Sequence, residues 1–324
     1  MLAVAKKLLG SRWVKWSVLV IALVIGGYEI YTRWHGVSSA LRTIGLLAAV
    51  EALLALLVAQ FANLKVWQVL LAGLGSPLST RVAARILLVG QLGKYIPGSL
   101  WPILTQMELG AQAKVPRDRS ASTSVLAMLI SLAVGLFVAM VTLPFTQHSN
   151  GYLVMFLLLP VFAVGFYPKV LNRLLNKLFK LTKRTPLETP VSGRVVLLVL
   201  AWQLMAWVFQ GLQIWLLAER FHAPAGRTAL IAIGGWAFAW CAGFVAVFAP
   251  AGAGVRDVLL YAALKPVIGG GPATAVVLVS RGINTINDLL VAGVAAFRRP
   301  RIAAPDTAAN VPAPVTVPPE EPAS

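Results

Sequence analysis

Charge is scarce in this sequence, and acidic charge is scarcest. Only 12% of the 324 residues are charged, with 11 Asp and Glu against 28 Lys and Arg. There is one cysteine, Cys241, and the three histidines, His35, His148 and His222, stand far apart. A single thiol excludes a disulfide framework and a cysteine-built metal site, and the histidines have no metal-ligand spacing. No Ser–His–Asp set or catalytic carboxylate pair emerges, so the expectation is a non-enzyme without cofactor or metal. Gly90-Gln91-Leu92-Gly93-Lys94-Tyr95 resembles a phosphate loop only loosely, being too short and lacking Ser or Thr after the lysine. With no ATPase module, any movement of a substrate is downhill, gradient-driven or powered by a partner.

What the sequence has instead is apolar length. It is 58% hydrophobic, with a mean hydropathy of +0.80. Its long apolar runs predict an all-α polytopic membrane protein. The net charge of +17 does not point to nucleic acid, because the basic residues gather between apolar runs. Cytoplasmic loops facing anionic lipid account for them better.

Taken in order, residues 18–31 follow Lys6, Lys7, Arg12 and Lys15 and read as a retained first helix with its N-terminus in the cytoplasm. Residues 41–61 return inward, where Lys65, Arg81 and Arg85 lie, and residues 122–143 and 152–167 make the next two crossings. Residues 168–190 alternate Lys169, Arg173, Lys177, Lys180 and Arg184 with leucines at helical spacing. This fits either a basic amphipathic helix on the inner leaflet or a solvated linker helix. Residues 195–217 cross outward, and the last helix, 273–297, ends inside at Arg298-Arg299-Pro300-Arg301. The tryptophans Trp13, Trp16, Trp34 and Trp67 read as interfacial anchors, whereas Trp101 and Trp240 lie deeper.

Two stretches break this pattern. Gly90–Pro102 carries three glycines, two prolines and Lys94 in apolar surroundings, and should break at Pro97-Gly98. Basic residues on both flanks make it a hairpin entered from the cytoplasm, over about 82–113. The second stretch is Pro250-Ala251-Gly252-Ala253-Gly254-Val255-Arg256-Asp257. There residues 230–248 either cross fully or descend and turn back toward Lys265 as an external hairpin. The basic cluster after residue 297 prefers the second topology.

The expected fold has about six full spans and two re-entrant broken-helix hairpins. It divides into inverted repeats at 1–150 and 151–297, with a disordered Pro-rich tail at 298–324. Broken backbone in lipid survives only where protein covers it or a wet cavity receives it, so paired breaks point to a binding site.

Ionisable groups inside the membrane are candidates by default. Lys94, Arg256 and Arg281 converge on a shared anion if the hairpin tips meet near mid-membrane. Tyr95, Pro97, Gly98, Ser99, Pro250, Gly252, Gly254 and Asp257 complete the candidate binding set. Helix N-termini near Ser99 and Val255 favour a phosphate or carboxylate there. Gly98, Gly252 and Gly254 would allow close backbone approach. Arg281, Asn284 and Asp288 share one helix face, and Glu51 and Asp288 are candidate counter-charges or proton carriers. The blander alternatives are that Arg256 and Asp257 cap a turn, that Arg281 and Asp288 form an ion pair within one helix, and that Glu51 faces a polar seam.

At Gly93-Lys94-Tyr95-Ile96-Pro97-Gly98 and at Pro250 to Asp257 the chain resembles the lysylphosphatidylglycerol synthase transmembrane-domain, or flippase-like, membrane protein family. The likeness spans most of residues 10–298. The family usually has Glu where Asp257 stands, and Ser99-Leu100-Trp101-Pro102 replaces its common Gly-Gly-Asp-type run. Members with lipid-aminoacylating activity carry a soluble C-terminal domain, so the resemblance implies no aminoacyl transfer here. It implies binding an anionic phospholipid, an amino-acid-modified lipid or a glycolipid and flipping it between leaflets. The basic residues flanking the apolar runs put both termini on the cytoplasmic side of the cytoplasmic membrane. Two further readings stand beside it: a transporter of a small soluble anion, and a non-transporting partner of a glycosyltransferase or lipid-modifying enzyme. Membrane lipids are the expected partners, with a homo-oligomer compatible and nucleic acid not.

Overall fold

The computed structural model describes residues 34–95, 101–146, 192–245 and 254–297. The first expected span, the crossing at 152–167, the basic helix at 168–190 and the tail lie outside these residues. So do Pro97, Gly98, Ser99, Pro250 and Gly252.

The described residues are helical, with no strand among them. Helix α1 is Trp34–Gly73 and α2 is Thr80–Ala84, which continues through a π-helical turn at Arg85–Val89 and a 3-10 turn at Leu92–Tyr95. Then come α3 (Trp101–Gln112), α4 (Arg117–Thr142) and α5 (Gly193–Ala218). The chain closes with α6 (Ala225–Val245), α7 (Val255–Ile268) and α8 (Gly270–Phe297). Five described helices, α1, α4, α5, α6 and α8, are long and apolar enough to cross a membrane.

Helix α1 outruns its expected span of 41–61. It continues to Gly73 because residues 62–73 carry buried Ala62, Leu64, Val66, Trp67, Leu70 and Leu71. Near its start it is interrupted at Gly45, where φ is 66° and the helical ladder breaks. Trp67, expected as an interfacial anchor, is only 1% exposed and donates from Nε1 to Ser124 Oγ at 3.3 Å. Its hydrogen bond is met inside the bundle, so it has no need of the interface.

Contacts between helices set the depth of everything else. A Cβ on Gly73 would stand 3.0 Å from Val195 Cγ1, so the end of α1 meets the start of α5. Arg119 reaches Gly75 O at 3.0 Å and Ser76 Oγ at 2.8 Å, which brings the start of α4 to the same end. Lys65, Arg81, Lys114, Arg117, Arg119 and Arg194 make this the basic end of the bundle. At the far end Arg220 Nη2 lies 2.7 Å from Glu51 Oε2. Glu51 is 22 residues from Gly73, or about 33 Å along the helix, roughly the thickness of a hydrocarbon core. Glu51 therefore sits at the far boundary, away from the middle of the bundle.

The first interrupted stretch starts at the basic end, with α2. Gln91 accepts from Gln60 Nε2 at 2.9 Å, and Gln60 is 13 residues, about 20 Å, from Gly73. The chain then returns as α3, pressed onto the first limb. A Cβ on Gly93 would lie 2.8 Å from Pro102 N, and one on Gly90 would overlap Gln106. Only glycine permits that closeness.

The second interrupted stretch is framed by α6 and α7. Gly234 faces Thr142 and Leu143 at the end of α4, while Cys241 Sγ lies 3.6 Å from Leu132 O, near the middle of α4. Helix α6 thus runs inward from the far end. Helix α7 lies beside it, since a Cβ on Gly235 would stand 2.9 Å from Ala263 Cβ. Val255 is eight residues, about 12 Å, deeper than Ala263. Helices α6 and α7 lie side by side.

Two outcomes are expected from this packing. A Cβ on Gly211 would overlap Ile233, so Gly211→Leu should cost about 1–3 kcal/mol or more and lower the thermal unfolding temperature of the purified protein. In a Cys241→Ser background, Asp118→Cys and Gly226→Cys should be labelled by an impermeant thiol reagent from opposite faces of sealed vesicles.

Candidate functional site

Helix α8 gathers the site. Successive helical residues turn by about 100°, so Arg281, Thr285 and Asp288 fall within a narrow strip of its surface. The first hairpin is tied to this strip at Asp288. Lys94 Nζ lies 2.6 Å from Asp288 Oδ2, and Tyr95 donates its hydroxyl to the same oxygen at 2.6 Å. Lys94 and Tyr95 can do this because the 3-10 turn over Leu92–Tyr95 carries both toward α8 after the π-helical turn has changed the direction of the strand of helix before it. Lys94 also lies 5.5 Å from the ring centroid of Tyr95.

The second hairpin is tied to the same strip one to two turns away. Arg281 Nη1 pairs with Asp257 Oδ2. That oxygen also accepts from Gly254 N at 3.1 Å, closing the first turn of α7. Asp257 thus caps the turn and holds Arg281 together. Gly254 has φ 90°, and a Cβ there would meet nothing within 4 Å. Its backbone conformation, rather than crowding, calls for glycine.

Arg256 lies between the two ties. Its side chain is 15% exposed and its guanidinium stands 5.1 Å from the ring centroid of Trp236. Trp236 is fixed from behind by Gln210, which accepts from its Nε1 at 3.1 Å. Arg256 Nε is 3.8 Å from Asp257 Oδ1, too far for a hydrogen bond, and has no hydrogen-bond partner among the described residues. Tyr95, Asp288 and Arg281 all lie within electrostatic range of it. A buried donor left open beside the charged side chains of Asp257, Arg281 and Asp288 suits an acceptor arriving from outside the chain.

The structure therefore brings together Lys94, Tyr95, Gly254, Arg256, Asp257, Arg281 and Asp288. It does not bring in Glu51, which pairs with Arg220 at the far end. Asn284 turns back to Ser280, donating to its carbonyl at 2.8 Å. Arg281 and Asp288 do not pair with each other, as the blander alternative had it: Arg281 pairs with Asp257, and Asp288 with Lys94. Trp236 was missed, because a tryptophan within an apolar helix reads as packing. Gln213 Nε2 and Asn287 Oδ1, also missed, are buried without a hydrogen-bond partner among the described residues. Ser280 donates to Gln213 Oε1 at 3.4 Å, so a polar seam runs between α5 and α8 behind the charged strip. Trp101 is 44% exposed, and Trp240 packs edge-on against Trp207 at 5.3 Å between ring centroids.

The strip borders apolar surface. Leu289 and Ile286 lie about 80° and 140° round α8 from Arg281. They are 58% and 55% exposed, and Arg281 itself is 44% exposed at its side chain.

No curated protein matches the chain. Residues 8–292 match the family model of the lysylphosphatidylglycerol synthase TM region. With that match over most of the chain, and with its long apolar helices, the protein is a multi-pass membrane protein that belongs to the lysylphosphatidylglycerol synthase TM-region family.

Proposed function

We propose that the protein binds a phosphate-bearing anionic lipid or lipid-linked glycan where its two hairpins meet, and passes it between the leaflets of the cytoplasmic membrane. One observation carries this reading. Arg256 is mostly buried with an open donor, among two more cations, at the edge of an exposed apolar helix face. A head group with a negative charge would satisfy the donor, while its chains would lie along Leu289 and Ile286. A free anion gains nothing from that apolar border, which is why a lipid is the better fit.

The two hairpins enter from opposite ends, which supports the reading of two inverted repeats with a shared site at mid-depth. The basic end faces the cytoplasm on this reading. The family's name, which refers to a lipid-modifying synthase, supports lipid as the ligand class. The protein acts as a carrier rather than an enzyme, holding the head group by charge and hydrogen bonds and making no covalent change to it. Lys94 and Arg281, partly exposed, would meet the head group first, and Arg256 would receive it deeper.

Mass spectrometry of lipids retained after gentle purification tests this. Wild type should carry an anionic or glycosylated lipid enriched over the bulk membrane. In Arg256→Ala that enrichment should fall on the order of tenfold or more, since the removed group is a buried charge, while the protein remains inserted and monodisperse. Bulk lipid alone, unchanged by the substitution, would overturn the reading in favour of a soluble anion or a partner role.

A further inference from the structure

The site's own carboxylates have a use beyond holding the hairpins in place. Among the described residues, three cations gather around two carboxylates: Lys94 pairs with Asp288, Arg281 pairs with Asp257, and Arg256 stands beside Asp257. One positive charge is left over in this set. In an apolar bundle a surplus charge is poorly screened, so the ligand that completes the site is selected by how well it cancels that surplus.

We propose that Asp288 is a specificity-determining residue which sets this surplus to one and so tunes the site to a phosphodiester over a phosphomonoester. A phosphodiester carries one negative charge. A phosphomonoester carries about −1.5 to −2 near neutral pH. The monoanion leaves the site neutral. The dianion overshoots, unless it displaces a carboxylate from a cation that already holds it.

The geometry makes Asp288 the residue for this task. Its side chain is 8% exposed, and one oxygen receives both Lys94 and Tyr95 at 2.6 Å. It therefore occupies the very donors that a second negative charge on the ligand would need. Asp257 cannot be assigned the same role, because it also caps the first turn of α7 through Gly254. Removing Asp257 would change the backbone as well as the charge. Tyr95 adds a neutral donor to the same oxygen, which keeps Asp288 in place without altering the sum.

This inference rests on the lipid-binding reading and goes beyond it in naming the charge class of the head group. Native mass spectrometry of the full-length protein tests it, with phosphatidylglycerol, phosphatidic acid and phosphatidylcholine in competition. Wild type should prefer phosphatidylglycerol to phosphatidic acid. Asp288→Asn raises the surplus to two, and should shift that ratio toward phosphatidic acid by on the order of tenfold or more. Asp288→Glu should keep the wild-type order. The pair Lys94→Gln with Asp288→Asn returns the surplus to one and should restore it. A destabilised site would weaken all lipids together, so the shift in ratio separates charge selection from a structural defect.

Should Asp288→Asn fail to fold, Lys94→Gln reads the same argument in the other direction. It takes the surplus to zero and should let phosphatidylcholine compete on equal terms. If wild type binds both acidic lipids but neither charge-changing variant moves the ratio, the assignment of Asp288 is overturned and the lipid reading stands. If wild type retains none of the three lipids specifically, or if millimolar inorganic phosphate displaces them, the lipid reading itself is overturned.

Discussion

A charged group in an apolar bundle has to be neutralised nearby, and that constraint organises this protein. Removing one partner of a buried ion pair costs about 3–5 kcal/mol, because the survivor is left without water. Asp288 and Arg281, on a single helix face, therefore do more than decorate α8. Asp288 ties down the Leu92–Tyr95 turn, and Arg281 the first turn of α7. The charged cluster and the packing of these two segments against α8 therefore rest on the same few ion pairs.

Much of this was legible in the sequence, for reasons that are easy to name. Glycine and proline are out of place in a plain apolar span, so Gly93, Pro97, Gly98, Pro250 and Gly254 stand out in the sequence, and of these Gly93 and Gly254 lie among the described residues. Lysine and arginine are expensive in lipid, so Lys94, Arg256 and Arg281 stand out as candidates. Their convergence was foreseen on the condition that the tips meet. Gly254, expected to permit close approach, proves instead to be needed for its backbone angle.

What was not legible depends on which helix faces which. Spacing along α8 places Arg281 and Asp288 on one face, yet it says nothing of the partners brought by two other segments. Asp288 finds Lys94 from 194 residues earlier, and Asp257 lies 24 residues before Arg281. Glu51 looked central because it lies in the middle of an apolar run. The helix continues to Gly73, and that extension moves Glu51 to the far boundary beside Arg220. Trp67 and Trp236 show the same limit, since each has an indole donor matched by a partner on another helix or another turn. A pairwise contact of this kind leaves no periodicity to read.

The close seam between the limbs of the first hairpin has a mechanical meaning. Gly90 and Gly93 let the outgoing limb settle against Gln106 and against the Trp101–Pro102 backbone so closely that neither limb can slide past the other. The two limbs therefore form one stiff unit, and Arg119 clasps the loop at Gly75 and Ser76 that leads into it. A substitution at this seam would be felt at Lys94 and Tyr95, which the same unit carries toward α8.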